Sequence, residues 1–308
     1  APIIERRNVL KEKRRIKGDV WDRRQNVLKW ILVTCFGYTG YRNARFGRIE
    51  CHEAICAWSR EILLTTIEEA NKEGWDCIHA IVDAIWIKDR MNRSDQEKRN
   101  SYQRLMDRVD ALVGIPLELE HEYDWIAFIP NRTTGVGALT KYYAKIGEDW
   151  KVRGIELRQH STCKWIRKLQ KDMMEDLAED PFGIGPLIAA QRVEDEISRM
   201  SRGEVPLNQL IVGRRVRYET GNHRVMNLTA GALLRAKELE QTAPPGRKIR
   251  FAVTGWKRVQ PTDRVRLQSE IELGTNSISG EKGDAEFYTP LAVRAATSIL
   301  SPFGWNED

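Results

Sequence analysis

The sequence predicts an α+β fold, and three observations lead there. Long amphipathic stretches at helical spacing fill much of residues 2–72. Apolar runs of strand length gather between residues 75 and 150, and the remainder reads as mainly helical with one clear turn-then-strand signal. The 308 residues are enough for a large core and for two packed subdomains.

The elements follow in order. Residues 2–17, PIIERRNVLKEKRRIK, carry Ile3, Ile4, Val9 and Leu10 at helical spacing, and Gly18 breaks the run. A second helix starts near Asp22, turns Val27, Leu28, Ile31 and Leu32 inward and ends at Gly37, after which GYTGY is turn chemistry. Residues 49–72 place Ile55, Trp58, Ile62 and Ile67 on one stripe, so a long amphipathic helix is expected, closed by Gly74. CIHAIVDAIWIKD, residues 77–89, reads as a strand with both faces apolar and Asp83 alone in its middle. A carboxylate there is costly unless something pairs with it. Residues 95–113 form another helix through Tyr102, Leu105, Met106, Val109 and Leu112. PLELEHEYDWIAFIP, residues 116–130, reads as paired strands that ALTKYYAKI continues. From about 153 the chain is mainly helical, with its strand signal at residues 243–256 and a last helix stopped by Pro302 and Gly304.

Composition narrows the classes of function. Hydrophobic residues make up 41% and charged ones 31%, as in an ordinary soluble globular protein. No apolar run approaches the roughly 18–20 residues that span a bilayer, so no membrane partner is expected. Five cysteines without framework spacing suggest reduced thiols and a cytoplasmic setting. The net charge of +6 is unevenly spread. Residues 1–50 hold 13 Lys/Arg against 5 Asp/Glu, a net of +8, and residues 51–130 hold 9 against 16, a net of −7. A basic segment beside an acidic one suits a polyanion partner with an acidic site between, while solvated helix faces are the plainer reading.

Few motifs carry chemistry alone. Cys51, His52 and Cys56 do not reach metal-site spacing, because i, i+5 positions lie on different helix faces and no second pair exists. The GVG and GIG triplets at 135 and 183 lack a third glycine and read as loops. Arg7 and Lys11 are i, i+4 neighbours, and Lys29 lies on the next helix. Two antiparallel helices could aim all three at one phosphate cluster, against the reading of a solvated face. Glu118 and Glu120 would alternate on one strand face near Asp83, as a carboxylate cluster or as an exposed charged edge.

The order of these pieces resembles the C-terminal half of an archaeal-type family B DNA polymerase over nearly the whole chain. The resemblance implies a partial right-hand polymerase: helical-hairpin fingers over 1–40, the C-terminal, antiparallel-sheet part of the palm over 41–152, and a mainly helical thumb over 153–308. IIERRNVLK resembles the first fingers helix, with Arg7 and Lys11 where the family grips the incoming dNTP. RQNVLKWILVTCFG resembles the second fingers motif, a lysine followed by Asn-Ser and Tyr-Gly. Lys29 matches the triphosphate-binding lysine, Val33 and Thr34 stand at Asn-Ser, and Phe36 and Gly37 at Tyr-Gly. HAIVDAIWI falls at the family's Asp-Thr-Asp turn, with Ile81 at the first aspartate, Val82 at the threonine and Asp83 at the second aspartate. LELEHE resembles the palm strand that follows, which implies Glu118 and Glu120 near the metals. TKYYAKI partly matches the basic-tyrosine motif that touches primer–template DNA, keeping Lys141 and Tyr143. RGIELR resembles the palm-to-thumb junction and puts Arg153, Gly154 and Glu156 at the DNA.

The resemblance implies a DNA-directed DNA polymerase with Asp83 and Lys29 as catalytic residues and Mg2+ (or Mn2+) as cofactor, ligated by Asp83 with Glu118 and Glu120. The family holds its two ions with one aspartate before the fingers and one in the Asp-Thr-Asp turn, and only the latter has a match here. A lone carboxylate cannot hold two ions with near-octahedral oxygen shells. The isolated chain is therefore expected to be catalytically incompetent. Its expected partners are primer–template DNA, a dNTP and an N-terminal polymerase subunit or segment carrying the exonuclease and the first palm aspartate, with a sliding clamp as a further candidate. Its expected location is cytoplasmic and nucleoid-associated. Two alternatives stay open: an inactivated polymerase kept as a DNA-binding scaffold, and a structural replisome subunit that contacts proteins.

Overall fold

A computed structural model describes residues 2–131, 133–219, 225–274 and 280–305. The chain packs as two compact units, residues 1–120 and 121–308. The expected functional boundaries at 40 and 152 are a different division from this packing one, and the second falls inside β5 of the latter unit.

The first unit opens with a helical hairpin. Helices α1 (Pro2–Lys17) and α2 (Asp19–Thr39) are separated by Gly18, whose φ of 80° only glycine adopts without strain. The second helix runs two residues past Gly37 and ends at Gly40. Helix α3 (Ile49–Lys72) leads into strands β1 (Trp75–Ile81) and β2 (Ala84–Asp89), and α4 (Asp95–Val113) closes the unit. Ser94 and Glu97 form a reciprocal capping box at the start of α4, and Gly114 ends it in the left-handed region. The core here is small: Ala70, Trp75, Leu105 and Val109, flanked by Ile85, Ile87 and Tyr102. Trp75 anchors it, stacking on Tyr102 at 4.6 Å and donating to Ser101 Oγ at 2.9 Å.

The stretch expected as one strand around Asp83 is two. β1 and β2 pair antiparallel with Ile81 opposite Ala84, so Val82 and Asp83 are the two residues of a tight turn. Period-2 burial does not continue through such a reversal. Asp83 therefore stands exposed at a hairpin tip and not inside an apolar sheet. The paired strands expected over 116–130 are also corrected. Only β3 (Trp125–Pro130) is a strand, and residues 115–124 have no regular structure. Pro116 and the run of charges after it leave that segment little apolar surface to bury.

In the second unit β3, β4 (Gly137–Ile146) and β5 (Asp149–Arg153) form an antiparallel meander. Helices α5 (Lys164–Leu177) and α6 (Gly185–Arg202) follow. Then come β6 (Val212–Arg215), α7 (Leu228–Glu238), β7 (Lys248–Val253), β8 (Val265–Leu267), α8 (Gln268–Leu273) and α9 (Ala285–Leu300). Strands β6, β7 and β8 make a second antiparallel sheet of which the sequence signalled only β7. The flanking strands are four and three residues long, too short to show a period. The core joins α5, which buries Trp165, Ile166, Leu169 and Met173, to α9. Two buried tyrosines tie the layers. Tyr143 donates to Ile299 O at 2.6 Å, while Tyr288 donates to Leu210 O at 2.8 Å and accepts from Val253 N–H at 2.9 Å. The final helix ends in a 3-10 turn over Ser301–Phe303, with Gly304 left-handed, as Pro302 and Gly304 predicted.

Candidate functional site

Within the first unit, one ion pair makes a rung between the two helices of the α1–α2 hairpin. Arg14 Nε lies 3.1 Å from Asp22 Oδ1, and the same carboxylate accepts from Gln25 Nε2 at 3.0 Å and Asn26 Nδ2 at 3.1 Å. In an antiparallel helix pair each step away from this rung moves both chains by the same rise. Lys11 then faces the level of Gln25, and Arg7 that of Lys29, about 10 Å from the rung. Arg7, Lys11 and Arg14 follow i, i+4, i+7 spacing on α1, and Asp22, Gln25 and Lys29 follow i, i+3, i+7 on α2, so each set shares one helix face. Arg7 and Lys11 are half-buried, while Lys29 is exposed. Arg7 Nε is buried with no hydrogen-bond partner, as is Gln25 Oε1. Among the described residues no carboxylate pairs with Arg7, Lys11 or Lys29. Three cations on one hairpin with no carboxylate partner among the described residues have donors that an anion could take up.

Further along α2, Val33 and Phe36 continue the Lys29 face at i+4 and i+7. Phe36 stacks on His52 of α3 with ring centroids 4.4 Å apart and planes 23° from parallel. Gly37 has open space where a Cβ would stand.

The expected metal residues do not assemble. Asp83 is exposed at the hairpin tip, and Glu118 and Glu120 are exposed in the irregular segment before β3, not alternating on a strand face. Among the described residues no group of three or more His, Cys, Asp and Glu could hold a metal ion. The donor set present thus does not fit a two-ion Mg2+ (or Mn2+) centre by itself. One carboxylate at a turn provides at most two of the oxygens such ions require.

In the second unit the residues expected at DNA split into two groups. Lys141 and Arg153 are exposed near the end of the β4–β5 ladder, where Arg153 is the cross-strand partner of Tyr142. Gly154 lies against β4: a Cβ on it would come within 2.4 Å of Thr140 O, and its φ is 71°. Glu156 begins a 3-10 turn and accepts from Gln170 Nε2 at 2.9 Å, which ties the turn to α5. Tyr143 is the correction. It is fully buried, burial pushes its hydroxyl pKa up, and its only polar atom bonds Ile299 O, so it supports the sheet from behind and cannot touch a ligand.

A second cationic feature escaped the sequence reading. Arg215 and Lys248 are cross-strand partners in the β6–β7 ladder, and Arg250, opposite Gly213, shares their face. All three are exposed, and among the described residues none is ion-paired. The signal was present as two similar segments, GRRVR at 213–217 and GRKIR at 246–250. It had no meaning until the strands were known to be neighbours.

No family model matches the chain. A DNA polymerase of Archaeoglobus fulgidus is 25% identical over 99% of the chain, and one of Thermococcus gorgonarius is 25% identical over 99%. DNA polymerase 2 of Saccharolobus solfataricus is 28% identical over 58%. The chain spans 38%, 39% and 28% of the lengths of these relatives. The family B DNA polymerase of Pyrobaculum calidifontis shares the fold over 96% of the chain and 36% of its own, with a TM-score of 0.65 at 20% identity. No helix among the described residues is long and apolar enough to cross a membrane.

Proposed function

From a chain homologous over most of its length to archaeal DNA polymerases, and sharing the fold of a family B member, we propose the fingers, C-terminal palm and thumb portion of a DNA-directed DNA polymerase. In this reading Arg7, Lys11 and Lys29 bind the triphosphate of a dNTP, beside Phe36 and Gly37. Lys29 opposes the negative charge that grows on the leaving pyrophosphate during transfer. Lys141 and Arg153 hold the primer–template backbone near the β4–β5 ladder, and Gly154 and Glu156 shape the turn beside them. Arg215, Lys248 and Arg250 add a sequence-independent phosphate grip. The observation that carries the reading is the register of the α1–α2 hairpin, which levels Arg7 with Lys29, while among the described residues the three cations have no carboxylate partner.

Asp83 is the carboxylate this chain would bring to a divalent-ion site, and a catalytic centre needs further acidic ligands from outside these residues. A segment or subunit carrying another palm aspartate is the proposed complement. The scaffold reading is favoured by one observation: Ile81, at the end of β1, has no side-chain oxygen to offer where the family motif has its first aspartate.

Primer extension separates the two. The chain should be assayed alone, then with its presumed complement, then with the complement and Asp83→Ala. Extension that requires both the complement and Asp83 is the expected result. Salt-sensitive binding to primer–template with no extension under Mg2+ or Mn2+ supports the scaffold. Absence of any salt-sensitive DNA binding removes both in favour of a protein-contacting subunit.

A further inference from the structure

The ring of His52 sits in a fitted socket at the end of α2. Phe36 stacks on one face of it. Thr39 Oγ1 is 3.2 Å from its Nδ1. Gly40 makes room for it: a Cβ there would meet His52 Cγ at 3.0 Å and Nδ1 at 3.1 Å. Three residues of one helix end thus contact or accommodate a single side chain from the first turn of α3. Thr39 Oγ1 also lies 2.6 Å from Phe36 O, so the same hydroxyl reaches both the His52 ring and the backbone of the turn that carries Phe36.

We infer that His52 is a positioning residue for the nucleotide site. It holds the Phe36 ring in one orientation and locks the last turn of α2, on whose preceding turns Val33 and Lys29 stand. This role rests on the proposed function, since Phe36 and Lys29 matter to a dNTP only in that reading. His52 itself touches no substrate. Its effect passes through the stack and through the Thr39 bond, and both end on the turn that carries Phe36.

The test uses the full 308-residue chain, with dATP titration followed by polarisation of a fluorescent dATP competitor and by amide hydrogen exchange over residues 36–40. Lys29→Ala tests the underlying reading and should weaken dATP binding about tenfold or more. His52→Ala should weaken it by about 2- to 10-fold, the range expected for loss of an aromatic pair, and should speed exchange over residues 36–40. His52→Phe keeps the stack but not the Thr39 bond, and should bind dATP more tightly than His52→Ala by about 2-fold or more. If Lys29→Ala weakens binding while His52→Ala leaves it unchanged, the positioning role is wrong and the nucleotide site stands. Faster exchange in His52→Ala with unchanged affinity also overturns it, leaving only a structural contact. If the unaltered chain binds no dATP, or Lys29→Ala changes nothing, the nucleotide reading fails and takes the role of His52 with it.

Discussion

Val82 is the most strained residue of the β1–β2 hairpin. Its φ is 56°, a conformation that suits glycine and penalises a β-branched side chain, and it is well exposed. The penalty is tolerated because Ile81–Ala84 pairing above it over-determines a two-residue turn. Val82→Gly should relieve the strain and raise stability by about 1 kcal/mol, read as a higher urea midpoint for the first unit. A lower midpoint would mean that the Val82 side chain makes contacts that outweigh the backbone cost. Glycine at 154 makes the opposite point. There both φ and the closeness of Thr140 O exclude a side chain, so the residue type follows from the sheet beside it.

At the scale of the element, the α1–α2 hairpin depends on Asp22. One carboxylate accepts from Arg14, Gln25 and Asn26, two of them on its own helix and one across the hairpin. The Arg14 pair is partly exposed, so its direct contribution to stability is small. A second contact joins it across the hairpin, the Lys13 ammonium lying 5.1 Å from the centroid of the Trp21 ring, and the two together tie α1 to α2 near the Gly18 turn. Asp22→Ala should leave overall helix content close to unchanged by circular dichroism. It should still weaken dNTP binding several-fold, roughly 1 kcal/mol, because Arg7 and Lys29 lose their common level. Equal dNTP affinity in this variant would show that the Asp22 carboxylate does not set the register.

At the scale of the whole molecule, the two units are built differently. The first has a small core and leaves Val20, Val27, Trp30 and Trp58 exposed, whereas the second has a continuous core from β3 to α9. Its charges are also handled in two ways. The Arg235–Glu270 pair is buried and bidentate: burial pushes Glu270 up, but Arg235 and the Leu267 N–H more than offset this, and its pKa lies below the ordinary value. A carboxylate depressed in the folded state contributes stability above its unfolded pKa and loses it as pH falls through the folded one. Glu270→Gln should therefore lower the melting temperature at pH 7 by about 5 °C, and the gap to the unaltered chain should narrow below about pH 4. A gap that stays constant from pH 7 to pH 3 would count against the pair. The Arg215, Lys248 and Arg250 face is handled oppositely, exposed and without an ion pair among the described residues, as suits an external anion. Replacing all three by alanine should reduce the slope of log K against log salt for duplex DNA by about 2–3, and an unchanged slope would place the DNA elsewhere.

Periodicity and breaker residues by themselves determined the helices at 2–17, 49–72 and 95–113, the terminal helix with its Pro-Gly stop, and the α+β class. These are long local patterns in which each turn repeats the same evidence. The order of motifs likewise pointed to the polymerase homologues before any geometry was known. What the tertiary structure decided is where chain reversal and pairing intervene. Asp83 read as a buried lone charge because a two-residue turn inside an apolar run leaves no compositional mark when it is made of Val and Asp. Glu118 and Glu120 alternate in sequence but lie in a segment without a partner strand. Tyr143 carries the same motif position whether it faces ligand or core, and only the tertiary structure, with its hydroxyl bonded to Ile299 O of α9, places it inward. The cations of GRRVR and GRKIR, some 30 residues apart, became one face only when β6 paired with β7. Local sequence specifies elements through short-range periodicity, but a site is a set of side chains from distant segments, and their meeting depends on long-range contacts that no single stretch encodes.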